Sequence, residues 1–123
     1  MGTFVLNAAK LNIIVNNIKV GKGSVFVEVY NNNKDFIKNP FVSKRVKASN
    51  KNLYFTFTIA NGIYAISAYQ DINDNKKLDK GALGIPVEPY GLSNSFKPKF
   101  AAPNFNDCKF KVTQDTTITI TLK

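Results

Sequence analysis

The residues best suited to chemistry lie between Asp71 and Asp79, in the segment Asp71-Ile72-Asn73-Asp74-Asn75-Lys76-Lys77-Leu78-Asp79, which offers an oxygen at every second position. Four of the eight acidic residues (Asp71, Asp74, Asp79 and Glu88) fall within one eighteen-residue window, 71–88, of a chain whose formal net charge is +9. Carboxylates gathered in one loop repel one another unless a cation sits among them, and Ca²⁺ suits the pattern because it takes six to eight oxygen ligands. Asp71, Asn73, Asn75 and Asp79 match positions one, three, five and nine of a calcium-binding loop, with the Lys77 carbonyl at position seven. The match stops there. Lys76 stands where an EF-hand needs glycine and Ala82 where it needs its bidentate glutamate, so Asp79 or the downstream Glu88 has to complete the shell. The same residues also have an ion-independent reading. Asp and Asn cap nearby amides in turns, and Lys76, Lys77 and Lys80 can neutralise the acids. If an ion binds, the irregular ligand set implies weak affinity, about 10⁻⁴ to 10⁻³ M.

Other chemistry is poorly supplied. The chain has no histidine, the commonest general base and transition-metal ligand. Its one cysteine, Cys108, has neither a disulfide partner nor a histidine to activate it, and is expected to be a buried, inert thiol. No serine lies in a nucleophile-elbow motif and no glycine loop is built to cradle phosphate. The expectation is a non-enzyme. The excess positive charge is almost all lysine, with Arg45 the only arginine, and the one modest basic run is Lys44, Arg45, Lys47 and Lys51. Specific nucleic-acid readers lean on arginine, so a solvated surface is the expectation and nucleic acid is not the expected partner.

The elements that must position the acidic loop are strands. Apolar residues alternate with polar ones at Leu11, Ile13 and Val15, at Val25, Val27 and Val29, at Leu53, Phe55 and Phe57, and at Ile118, Ile120 and Leu122. Residues 63–70 are apolar on both parities, as in a central strand covered on both faces. Phe105 to Val112 reads as a further strand with Cys108, Phe110 and Val112 on one face. Val20-Gly21-Lys22-Gly23 and Ala60-Asn61-Gly62 carry hairpin signals, and Asn31-Asn32-Asn33-Lys34 closes another strand. No helix is expected beyond a short turn near residues 35–37. The reading is all-β: one antiparallel sandwich of about seven strands with Greek-key connections. No stretch nears the roughly 18 apolar residues of a membrane helix. Residues 1–9 lack the basic start and apolar run of a secretory signal, and are set apart as a processed or cloned start before a domain spanning 10–123.

One region departs from the pattern. From Asp71 to Pro103 the chain carries Gly81, Gly84, Pro86, Pro89, Gly91, Pro98 and Pro103 with little alternation, yet keeps aromatic and apolar residues suited to an ordered excursion. Long loops on a rigid sandwich commonly carry recognition. Tyr69, Tyr90 and Phe96 are the candidate contacts for a ligand, although packing under the loop competes for them. The preferred expectation is a non-catalytic binding or interaction module. A small-ligand carrier or weak hydrolase, with a cleft between the long loop and the sheet, is the alternative, and polyanion binding through lysines a third.

The stretch from Gly62 to Asp79, followed by Gly84-Ile85-Pro86-Val87-Glu88-Pro89-Tyr90-Gly91-Leu92-Ser93-Asn94, resembles a bacterial family catalogued as domain of unknown function 2141. The likeness extends more loosely to the strand Gly23–Tyr30 and to Pro103-Asn104-Phe105. It implies a transthyretin-like, immunoglobulin-related sandwich exported to the periplasm, outer membrane or cell surface; the loop's own aromatic residues give the expectation of a protein or glycan partner there. Glycines usual in the family are replaced here by Asp74, Lys76 and Pro89. Related transthyretin-like hydrolases rely on histidines, so the resemblance brings no activity with it.

Overall fold

The structure is a computed structural model and describes residues 8–73, 88–97 and 103–123. Two sheets pack face to face. One has the order β4-β1-β8, where β1 is Ala8–Asn16, β4 Leu53–Ala60 and β8 Thr116–Thr121. The other has the order β3-β2-β5-β6, where β2 is Ser24–Tyr30, β3 Val42–Lys47, β5 Gly62–Asp71 and β6 Tyr90–Leu92, with β7 (Phe110–Val112) also paired to β5. The described residues therefore form eight strands of an all-β sandwich, and every pairing is antiparallel except β1 with β8, which run parallel from Leu11↔Thr116.

The alternating residues do what a two-faced strand requires. Leu11, Ile13 and Val15, Val25, Val27 and Val29, Phe55, Phe57 and Ile59, and Ile120 and Leu122 all point between the sheets and are buried. β1 begins at Ala8 and Ala9 is buried opposite Ile59, so residues 8 and 9 belong to the sandwich rather than to the leading segment.

Three local expectations are corrected. Neither glycine-containing turn makes a hairpin, because β1 and β2 lie in different sheets, as do β4 and β5. Turn residues supply the backbone conformation of a reversal but do not select which strand pairs with which. Here Asn61 alone separates β4 from β5, and the chain passes from one sheet to the other, with the Tyr64 hydroxyl donating to the Ala60 carbonyl at 2.6 Å. Third, Phe105–Cys108 is not strand but a single helical turn, α1, started by the Asn104 side chain accepting from the Asp107 N–H at 3.1 Å. Cys108 consequently leaves the face of Val112 and joins a second cluster on the outer side of the larger sheet, with Tyr30, Phe36, Ala65, Leu92 and Phe105. Edge-to-face contacts link Tyr30 to Phe36 (5.1 Å) and Phe36 to Phe105 (6.1 Å).

The basic run on β3 does not form one patch. Lys44 points to the inter-sheet side of this edge strand, donates to the Thr56 carbonyl on β4 and lies 5.0 Å from the centre of the Phe57 ring. Arg45 points outward over Phe26. An inward lysine on an edge strand also discourages pairing with another chain.

The turn before β2 is fixed from inside. Gln70, fully buried, donates its amide to the Lys19 and Lys22 carbonyls (2.7 and 2.6 Å) and accepts from the Lys19 N–H (2.9 Å). Gly23 has φ +62°, and a Cβ there would stand 1.8 Å from the Asp71 carbonyl oxygen, whereas Gly21 (φ +84°) faces open space. Gly23→Ala is therefore expected to cost more than about 3 kcal/mol, by forcing the backbone away from Asp71, and Gly21→Ala only about 1 kcal/mol from its positive φ. Urea denaturation of the two variants checks this; equal losses would show that the close approach to Asp71 is not binding on the fold.

Candidate functional site

The outer face of the larger sheet is ordered by register. Phe26 of β2 lies opposite Arg45 of β3 and Tyr69 of β5, and Tyr69 lies opposite Tyr90 of β6. The row is in contact as well as in line: the Arg45 guanidinium is 5.8 Å from the Phe26 centroid, and the Phe26 and Tyr69 rings stack at 5.0 Å and 3°. One step along, Ser24 is paired with Asp71, and in the other direction Glu28 is paired with Ser67. Asp71 thus shares the outer face with Tyr69 and Glu28, while Gln70 between them points into the core.

Asp71 is fully buried and Glu88 is 9% exposed. Glu88 comes back to the start of the acidic segment, where its Oε2 accepts from the Ile72 N–H at 2.9 Å. Burial, and then the charges of Glu28, Asp71 and Glu88, hold the Tyr69 hydroxyl well above the ordinary tyrosine range. Tyr30 is raised likewise, first by burial and then by Glu28, to whose Oε1 it donates at 3.0 Å. Burial in turn raises the Glu28 carboxyl, against the lowering effect of that hydrogen bond.

Of the six residues expected to hold a cation, Glu88 is bonded to the residue after buried Asp71, and Asn73 is exposed one residue further on. Asn75, Lys77 and Asp79 lie outside the described residues. Among the described residues no group of three or more His, Cys, Asp or Glu side chains is placed to hold a metal ion. Of the three candidate contact residues, Tyr69 is buried in its stack with Phe26, Phe96 packs against the second cluster, and half-buried Tyr90 lines a cavity between β6 and the end of β8. Cys108 is fully buried, and burial with the neighbouring Asp107 pushes its thiol up to about 12.

Two polar side chains that organise this region were missed. Gln70 sits in the otherwise apolar run of β5, and a polar residue inside such a run was the available signal. Ser93 is fully buried. Its Oγ accepts from the Ile66 N–H at 2.9 Å and donates to the Cys108 carbonyl at 2.6 Å, and nothing in its local sequence marks it out.

The described residues define an all-β sandwich. Residues 13–120 match the family described as uncharacterized proteins conserved in bacteria, domain of unknown function 2141, and the chain belongs to that family. No curated protein and no solved structure matches it. No described helix is long and apolar enough to cross a membrane.

The environment of Glu28 gives a pH test. Its folded-state pKa lies above 4.5, so the folded chain holds the proton more tightly than the unfolded chain, and the associated stability is present below about pH 4.5 and lost as pH rises through the folded value. Glu28→Gln keeps an acceptor for Tyr30 without the buried charge. Its urea midpoint should gain on that of the unaltered protein between about pH 4 and about pH 7. A relative gain by the unaltered protein would contradict the burial argument.

Proposed function

We propose that this chain is a non-catalytic, exported binding module whose loop after β5 is organised by a weakly bound Ca²⁺. The observation that carries the reading is the return of Glu88 to the Ile72 amide, beside buried Asp71. In this reading Glu88 stands in for the closing glutamate that the calcium-loop pattern of Asp71, Asn73, Asn75, the Lys77 carbonyl and Asp79 lacks. An ion there would gather carboxylates that otherwise repel, and would pin both ends of the loop to the sheet edge.

Catalysis forms no part of the proposal: the chain has no histidine and Cys108 is sealed in the second cluster. Export to the periplasm, outer membrane or cell surface follows the family resemblance, and a protein or glycan there is the proposed partner of the loop.

Calorimetric titration with CaCl₂ tests the ion. At about 10 mM Ca²⁺ and a Kd of about 10⁻³ M the folded state gains about 1.4 kcal/mol, a rise of several degrees in Tm. Asp71→Asn with Asp79→Asn should abolish the heat and the shift, and Glu88→Gln should reduce both. Neither heat nor a Tm shift at millimolar Ca²⁺ would leave the acidic segment a self-capped turn.

A further inference from the structure

The two sheets meet a second time along β6. Tyr90 and Lys123 exchange backbone hydrogen bonds (N–H to O, 3.2 and 3.1 Å), which ties β6 to the residues following β8. Gly91 lets the strands touch, since a Cβ there would stand 2.4 Å from Ile120 Cγ2. Immediately afterwards the chain turns sharply through Asn94 and Ser95, both left-handed at φ 63° and 52°, a conformation that residues other than glycine adopt infrequently. Asn94 is held there by its side chain, which donates to the Lys109 carbonyl at 2.8 Å. The tight contact at Gly91 and the turn beyond it leave a hollow of about 260 Å³ between them.

Its walls differ in kind. Half-buried Tyr90 provides ring surface, Ser95 and Thr121 carry hydroxyls, and the lysines Lys97 and Lys123 line the same space. No acidic side chain is among the described lining residues. The two lysines are close enough to disturb each other: a hydrogen bond to Lys97, and then its positive charge, hold the Lys123 amine below the ordinary lysine value. Like charges brought together at a concave, hydroxyl-lined surface favour an anion between them.

We propose that this hollow is a binding site for a small phosphate monoester, its phosphate held between Lys97 and Lys123 and its organic part laid against Tyr90. Ammonium groups act on phosphate as point charges with three rotatable donors each, and the two hydroxyls extend the donor set. The volume equals about nine waters at roughly 30 Å³ each, more than a bare phosphate needs, which leaves room for a compact organic group. The inference goes beyond the calcium reading and does not depend on it.

The test is calorimetry in EDTA with inorganic phosphate and with phenyl phosphate as probes, on the unaltered protein, Lys97→Gln, Lys123→Gln, the double variant, and Lys38→Gln as an exposed-lysine control. Phenyl phosphate should bind more tightly than inorganic phosphate, and the double variant should weaken both by about tenfold or more while Lys38→Gln leaves them unchanged. These exposed positions leave the fold intact, which the urea midpoint checks. In parallel, the side-chain amine of Lys123 should titrate at higher pH when phosphate is present, because an anion favours the charged form. Equal loss in Lys38→Gln, no effect of the double variant, an unmoved Lys123 titration, or no binding at about 20 mM of either probe would each overturn the site. Since EDTA removes Ca²⁺, failure here and failure of the calcium titration are separate results.

Discussion

Everything in this structure depends on how β5 satisfies its backbone. From Tyr64 to Asp71 the strand is buried, so each N–H and C=O must find a partner other than water. β2 covers one edge without interruption from Ala65 to Asp71. The other edge is covered by two fragments: β6 opposite residues 67–69 and β7 opposite residues 62–64. Between them the ladder is broken, and the Ser93 hydroxyl takes the place of a strand by accepting from the Ile66 N–H and passing its own hydrogen to the Cys108 carbonyl. One buried hydroxyl therefore joins β5, the end of β6 and the end of α1. That junction is also why the second cluster can form, since it places Leu92 and Cys108 on the same outer face as Tyr30 and Ala65.

The two open sides of the sandwich are closed by different physics. On the β6 side the closure is main chain, through the paired bonds of Tyr90 and Lys123, and it needs a residue without a side chain at the crossing with Ile120. On the β3 side it is a side chain, Lys44, reaching from one edge strand to a carbonyl on the other while its charge rests over Phe57. A backbone closure positions neighbouring groups more rigidly than a flexible lysine does. It is the β6 side that carries both the returning Glu88 and the hollow at Lys97 and Lys123.

Much of this was legible in the sequence, and what was not has identifiable causes. The faces of β1, β2, β4 and β8 follow from two-residue periodicity because burial between sheets is decided locally, one side chain at a time. Sheet membership is not local. The glycines at 21 and 23 and the single residue between β4 and β5 announce reversals, yet whether a reversal pairs its strands or throws them into opposite sheets depends on partners far along the chain. The parallel pairing of β8 with β1 is hidden for the same reason. Residues 105–108 were misjudged because four residues carry too little periodicity to separate a strand from one helical turn, and the decisive bond comes from the side chain of Asn104. At the candidate site, the charge pattern singled out Asp71 and Glu88 as members of one site, and the fold brings Glu88 to the residue next to Asp71. The hollow at Lys97 and Lys123 had no such signature, because its two lysines lie twenty-six positions apart in a chain where lysine is the commonest charge.

β6 is the physical link between these features. It is three residues long, too short to hold itself by ladder bonds alone, and it is fixed instead at its two ends. Before it, Glu88 is tied to Ile72 and the Pro89 carbonyl accepts from the Gln70 N–H at 2.9 Å; after it, Ser93 is tied to Ile66 and Cys108. The strand is thus held from both sides, with Lys123 paired to Tyr90 at its start and Ser93 tied to β5 and α1 at its end. These bonds on both sides make β6 the most firmly positioned backbone on the edge of the sheet that β5 organises.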